Sequence, residues 1–218
     1  MSALFYEQRE AAGEPQGLLI LHHGRGTDER DMLGLAGALD PERRLHVVCP
    51  RGPLTIPGSP GFHWYRVPRV GYPDPESFFA AASALGELHE ELWEQTGLGP
   101  ERTVLGGFSM GCVMSYATGL APGRPVPAGI LAMSGFIPTV EGWGADLAGR
   151  PELGVLIAHG SEDPVISVDF ARTAARTLQA AGLPVDYHEF QGSHQVVASE
   201  IALAHDWLLA RGTPDPAY

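Results

Sequence analysis

The stretch TVLGGFSMGCV, residues 103–113, crowds Gly106, Gly107 and Gly111 around a single serine, Ser109. An apolar run precedes it and an amphipathic one follows, and either a strand or a helix would favour side chains with more packing value than glycine. Its centre, Gly107-Phe108-Ser109-Met110-Gly111, has the G-x-S-x-G spacing. A sharp strand-to-helix turn explains that spacing: it strains the serine backbone, needs small residues two positions away on each side, and lifts Oγ above the sheet as a nucleophile. The same turn sets the Met110 N–H at a helix N-terminus, where developing negative charge is stabilised. The alternative is a glycine-rich turn with a capping serine.

Outward from this turn, short apolar runs alternate with helical patterns. Strands are expected at 17–23, 45–50, 103–109, 128–135, 154–160 and 184–190, most of them continuous enough to be buried on both faces, with 4–9 as an added edge strand. Helices are expected at about 28–39, 75–95, 110–121, 167–182 and 195–210, with Asp28, Pro75, Ser167 and Ser193 or His194 near their starts and Gly182 and Gly212 at stops. This alternation implies one α/β domain over 1–218, with an open, mostly parallel sheet of about six or seven strands and helices on both faces. Residues 212–218 read as a tail, and there is no internal repeat.

Composition narrows the chemistry. At 218 residues and 44% hydrophobic content the chain can bury a full core, and its 28 Gly and 19 Pro imply many loops. The net charge of −12, from 26 acidic residues against 14 arginines with no basic cluster, makes nucleic acid and anionic membranes poor partners. The chain has no lysine, which excludes Schiff-base, P-loop and serine–lysine chemistry, and no asparagine, which excludes N-glycosylation. Cys49 and Cys112 read as buried thiols rather than a disulfide framework. The N-terminus lacks the pattern of a secretory leader, and no window reaches the ~18 apolar residues of a membrane span, so a soluble, cytoplasmic protein is expected.

In open sheets of this class ligands bind beyond the carboxyl ends of the strands, so the residues just after each strand form the functional shortlist. Ser109 needs a base, and the base needs an orienting acid, expected in the chain order Ser, Asp or Glu, His. Three histidines fall late enough: His188 within a strand, His205 within a helical pattern, and His194 in the Gly-Ser-His loop after the last strand. His194 is the preferred base, with helix capping as its alternative role. Asp163, held by Pro164 after the strand at 154–160, is the favoured acid over Glu162 and Asp169.

These residues resemble the serine hydrolases of the α/β-hydrolase fold, specifically the small phospholipase/carboxylesterase group that includes acyl-protein thioesterases. Four blocks carry the likeness: Leu21-His22-His23-Gly24-Arg25-Gly26 with Asp28, Gly107 to Gly111, Gly160-Ser161-Glu162-Asp163-Pro164-Val165, and Gly192-Ser193-His194-Gln195-Val196. The resemblance spans nearly the whole chain. It implies a triad of Ser109, Asp163 and His194, an oxyanion hole from the backbone N–H groups of Arg25 and Met110, no cofactor or metal, no large cap domain, and a small-molecule ester substrate, with thioesters or lysophospholipids as alternatives. Small members of the group often dimerise, which is an analogy only. Ser193 departs from the glycine that often precedes the histidine in relatives. A non-catalytic binding protein on the same fold is the other class of function.

The stretch GPLTIPGSPGFHWYRVPRVGYPDP, residues 52–75, is too long and Pro-rich for an ordinary connection and reads as a substrate-side loop. Trp64 within it and Phe136, just after a strand end, are expected to wall an apolar acyl pocket, unless these aromatics only anchor the loop to the body. Arg66 and Arg69 are candidates to meet an acidic leaving group, although isolated arginines are usually solvated. His22 and His23 look metal-like, but consecutive strand residues face opposite sides.

Overall fold

A computed structural model of the protein describes residues 4–212, so positions 213–218 of the expected tail lie outside the described residues. The run GLLILH forms β2 (Gly17–His22), which is buried along its whole length, following β1 (Tyr6–Arg9). Its side chains explain why the apolar run does not alternate with polar residues. Leu18 and Ile20 enter one core layer, Leu19 and Leu21 the other, as expected of a strand covered on both faces.

The remaining elements in chain order are α1 (Glu29–Leu39), β3 (Leu45–Pro50), the short β4 (Leu54–Thr55) and β5 (Phe62–His63), and α2 (Pro75–Thr96). Then come β6 (Thr103–Phe108), α3 (Met110–Gly119), β7 (Gly129–Met133), β8 (Gly154–Gly160), α4 (Val168–Ala180), β9 (Val185–Phe190) and α5 (Ala198–Gly212). Seven strands form the main sheet in the order β1-β3-β2-β6-β7-β8-β9. β1 pairs antiparallel with β3 at one edge, and every other neighbour pairs in parallel. The mostly parallel sheet and its added edge strand are as expected, and no cap domain is present among the described residues.

Side chains of α2, α3 and α4 pack with Ile20, Leu105, Ile130 and Val155 on one face of the sheet. Those of α1 and α5 pack with Leu21, Val47, Leu131 and Leu156 on the other. Cys49 and Cys112 are free and buried in opposite layers. Helix starts follow the sequence signals: Asp28 caps α1 through the N–H groups of Arg30 and Asp31, Asp74 caps α2 ahead of Pro75, and Ser167 caps α4. The start of α5 is a correction. It begins at Ala198, not near Gln195, and the carboxylate that reaches back to it is Glu200, which accepts from the Val197 N–H. Ser193 and His194 are thereby left in the preceding loop.

Candidate active site

Ser109 joins β6 to α3 with φ 55° and ψ −118°, a left-handed conformation that an L-residue adopts at a cost of roughly 1–3 kcal/mol. Neighbouring elements hold it there: the Ser109 N–H donates to Met133 O at 2.9 Å. Two glycines make the turn feasible. A Cβ at Gly107 would sit 2.4 Å from the Gly111 carbonyl carbon, and one at Gly111 would sit 2.0 Å from His22 O. α3 can therefore start directly against β2, and the crowding of glycines around Ser109 is a close-packing requirement.

The β8 and β9 ends bring two further loops over this turn. Ser161 N donates to Phe190 O and Glu162 N to Gly192 O, both at 2.9 Å, so the loop after β8 is bonded to the loop after β9. Through this docking His194 Nε2 lies 2.8 Å from Ser109 Oγ, and His194 Nδ1 lies 2.6 Å from Asp163 Oδ2. A carboxylate can only accept, so Nδ1 carries the proton and Nε2 is left to accept from the Ser109 hydroxyl. The Phe108 ring packs against the imidazole at 4.8 Å between ring centres, tilted by 39°.

Asp163 is buried, which disfavours its charge, yet its pKa is held below the ordinary carboxyl value. The N–H groups of Ile166 and Val165 donate to Oδ1 at 2.9 and 2.8 Å, and His194 donates to Oδ2; together they outweigh burial. Beneath it, His159 Nε2 lies 2.9 Å from Ile166 O and 3.2 Å from Asp163 Oδ2. Burial is the largest influence on His159 and lowers its pKa, leaving a neutral ring that donates from Nε2. This backing was missed in the sequence, although His159 directly precedes the Gly160-Ser161-Glu162-Asp163 block.

The other candidates are placed elsewhere. Glu162 is exposed, Asp169 pairs with Arg172, His188 is exposed on β9, and His205 bonds to Leu39 O. His22 and His23 take different hydrogen-bond partners, although both rings pack against Trp64 rather than pointing to opposite sides: His22 Nδ1 meets Ser115 Oγ at 2.9 Å, whereas His23 Nδ1 donates to Gly24 O and Nε2 accepts from the Gly52 N–H. Burial lowers the pKa of both, so both are neutral. His23 thereby ties the 24–26 turn to the segment after β3. Within that turn, the Arg25 N–H makes no hydrogen bond with a described residue, while the next N–H, of Gly26, donates to Phe62 O.

Arg25, Ser109, Met110 and Phe136 line one cavity of about 90 Å³. The rest of its wall comes mainly from the 52–75 loop, including Tyr65, Val67, Arg69 and Tyr72, and from Val165 and Ile166 after β8. Phe136 thus lines the cavity at Ser109. Trp64 does not. It has no exposed surface, its indole N–H donates to His23 O at 2.9 Å, and its ring lies 5.1 Å from that of His23. It anchors the long loop to the turn that carries Arg25, because a buried indole needs an acceptor and that carbonyl supplies it.

Comparison with known proteins places this arrangement in a family. The phospholipase/carboxylesterase family description matches residues 7–210. Acyl-protein thioesterase 1 of Gibberella zeae is 32% identical over 214 residues, with 88% of each chain covered. The crystal structure of esterase PE8 superposes with a TM-score of 0.80 at 29% identity, covering 95% of this chain and 99% of that one. The Bacillus cereus carboxylesterase shares the fold, with a TM-score of 0.82 at 24% identity over 96% and 95% of the two chains. With the match running from the first strand into the last helix, the chain belongs to the phospholipase/carboxylesterase family of α/β-hydrolases.

Proposed function

We propose that this chain is a serine carboxylesterase that hydrolyses small carboxylic esters through an acyl-enzyme on Ser109. The observation that carries the reading is the continuous hydrogen-bonded chain from Ser109 Oγ through His194 to Asp163 Oδ2, with Ser109 at the wall of a cavity lined mainly by apolar side chains together with Arg25 and Arg69. In the proposed reaction Oγ attacks the ester carbonyl as its proton passes to His194 Nε2, and Asp163 stabilises the imidazolium. The N–H groups of Arg25 and Met110 receive the oxyanion. The bond to the alcohol oxygen then breaks, and His194 returns the proton to that oxygen. Water repeats the sequence on the acyl-enzyme, yielding the carboxylic acid and free Ser109.

The same groups serve a thioester, and the acyl-protein thioesterase name of the Gibberella zeae relative supports that as the second reading. Matched oxoester and thioester substrates separate the two by their kcat/KM ratio. For either one, Ser109→Ala and His194→Ala are expected to lower turnover of a small activated ester by on the order of 10⁴-fold or more. Retained turnover in either variant would overturn the mechanism.

A further inference from the structure

Arg25 and Arg69 differ from every other arginine in the described structure. Elsewhere the guanidinium is engaged, either by a carboxylate, as Arg66 is by Asp74 and Glu76, or by a carbonyl or hydroxyl oxygen, as Arg102 is by Pro15 O. The guanidinium groups of Arg25 and Arg69 make no hydrogen bond or ion pair with any described residue. Both residues line the Ser109 cavity, and no acidic residue lines it among those described. In a chain of net charge −12, two uncommitted cations on one small cavity are a concentrated exception. Arg69 is also oriented: its guanidinium stacks 3.6 Å above the Tyr72 ring, and Tyr72 is itself part of the wall.

We propose that Arg25 and Arg69 form an anion subsite beside Ser109, and that the ester turned over carries a carboxylate. This rests on the esterase reading above and adds a substrate class to it. The guanidinium fork matches a carboxylate in shape and charge, and both arginines have their donors free to engage one. Val67, Val70, Phe136 and Ile166 supply the apolar wall for the hydrocarbon part. A local cationic mouth also offsets the repulsion that a strongly acidic protein exerts on an anionic substrate.

Two matched pairs test the proposal with the full chain. Monoethyl and diethyl succinate place or remove a carboxylate on the acyl side; 4-acetoxybenzoate and its methyl ester do so on the leaving-group side. In at least one pair the charged ester is expected to have a kcat/KM about tenfold or more above its neutral partner at low salt, with the preference shrinking at 0.5 M salt. Which pair shows it identifies the side on which the carboxylate sits. Arg25→Gln and Arg69→Gln are expected to reduce that ratio severalfold, and Arg69→Glu, at an exposed loop position, to invert it. Charged esters no better than neutral ones, or a preference that survives in all three variants, overturns the subsite and leaves the esterase reading standing. Absence of Ser109-dependent turnover of all four esters would strike the esterase reading itself, and the subsite with it.

Discussion

Glu200 is only 3% exposed and lies in the loop-to-helix segment that follows His194, yet just one of its oxygens has a partner, the Val197 N–H. Burial lifts its pKa from 4.5 to about 7, the Val197 hydrogen bond offsetting only part of the effect. The folded chain therefore keeps this proton up to about pH 7, whereas the unfolded chain releases it near 4.5, and between those values folding binds protons. Stability from this group is full below pH 4.5 and is lost as pH rises through 7. At pH 8 the buried carboxylate costs on the order of 3 kcal/mol relative to a neutral group. Glu200→Gln, which keeps an oxygen for the Val197 N–H, is expected to melt close to the wild type at pH 4.5 and several degrees above it at pH 8. Parallel melting temperatures across that range would show that Glu200 does not titrate on unfolding. Among the residues of the site, Ser109 was legible because its constraint is local: glycines two positions away on each side state the turn directly. His194 and Asp163 were legible through chain order. His159 was not, since nothing in the sequence says that the ring before Gly160 turns back under Asp163.

At the scale of elements, the long connection between β3 and α2 is where sequence and structure part. Its length and proline content marked it as special, and the structure lays its second half along the Ser109 cavity through Tyr65, Val67, Arg69 and Tyr72. Which of its aromatics face substrate depends on the path of the loop, and that path is set by tertiary partners. Trp64 goes inward, where His23 O is available to its N–H, so of the two roles open to it, pocket wall or loop anchor, it takes the second. Trp64→Phe removes one buried donor and leaves that carbonyl without this partner, a loss of about 1–3 kcal/mol that a denaturation midpoint will read. The acyl-chain-length profile on a series of aliphatic esters is expected to keep its shape in the same variant. A shifted optimum would return Trp64 to the substrate wall. The strands and four of the five helices were legible because continuous apolar runs and caps such as Asp28 and Asp74 are local signals. The start of α5 was misplaced because its first turn is fixed by Glu200 reaching back, a contact three residues long that competes with the more conspicuous Ser193.

For the molecule as a whole, the sheet order matters more than any one element. β6 lies at the centre of the sheet, between β2 and β7, and its end carries Ser109. The turn after β2 brings Arg25 to one side of it, and the loops after β8 and β9 bring Asp163 and His194 to the other. Residues 25, 109, 163 and 194 are far apart in sequence and meet only because parallel strands place all their carboxyl ends on one edge. No described helix is long and apolar enough to cross a membrane. In the mechanism proposed above, this convergence makes Ser109 a nucleophile. Intact-mass analysis after exposure to an alkyl fluorophosphonate is the decisive experiment: a single phosphonyl adduct is expected on the folded chain, mapped by peptide sequencing to Ser109 and absent in both Ser109→Ala and His194→Ala. An unmodified folded chain, or an adduct that persists in Ser109→Ala, would refute the role of Ser109.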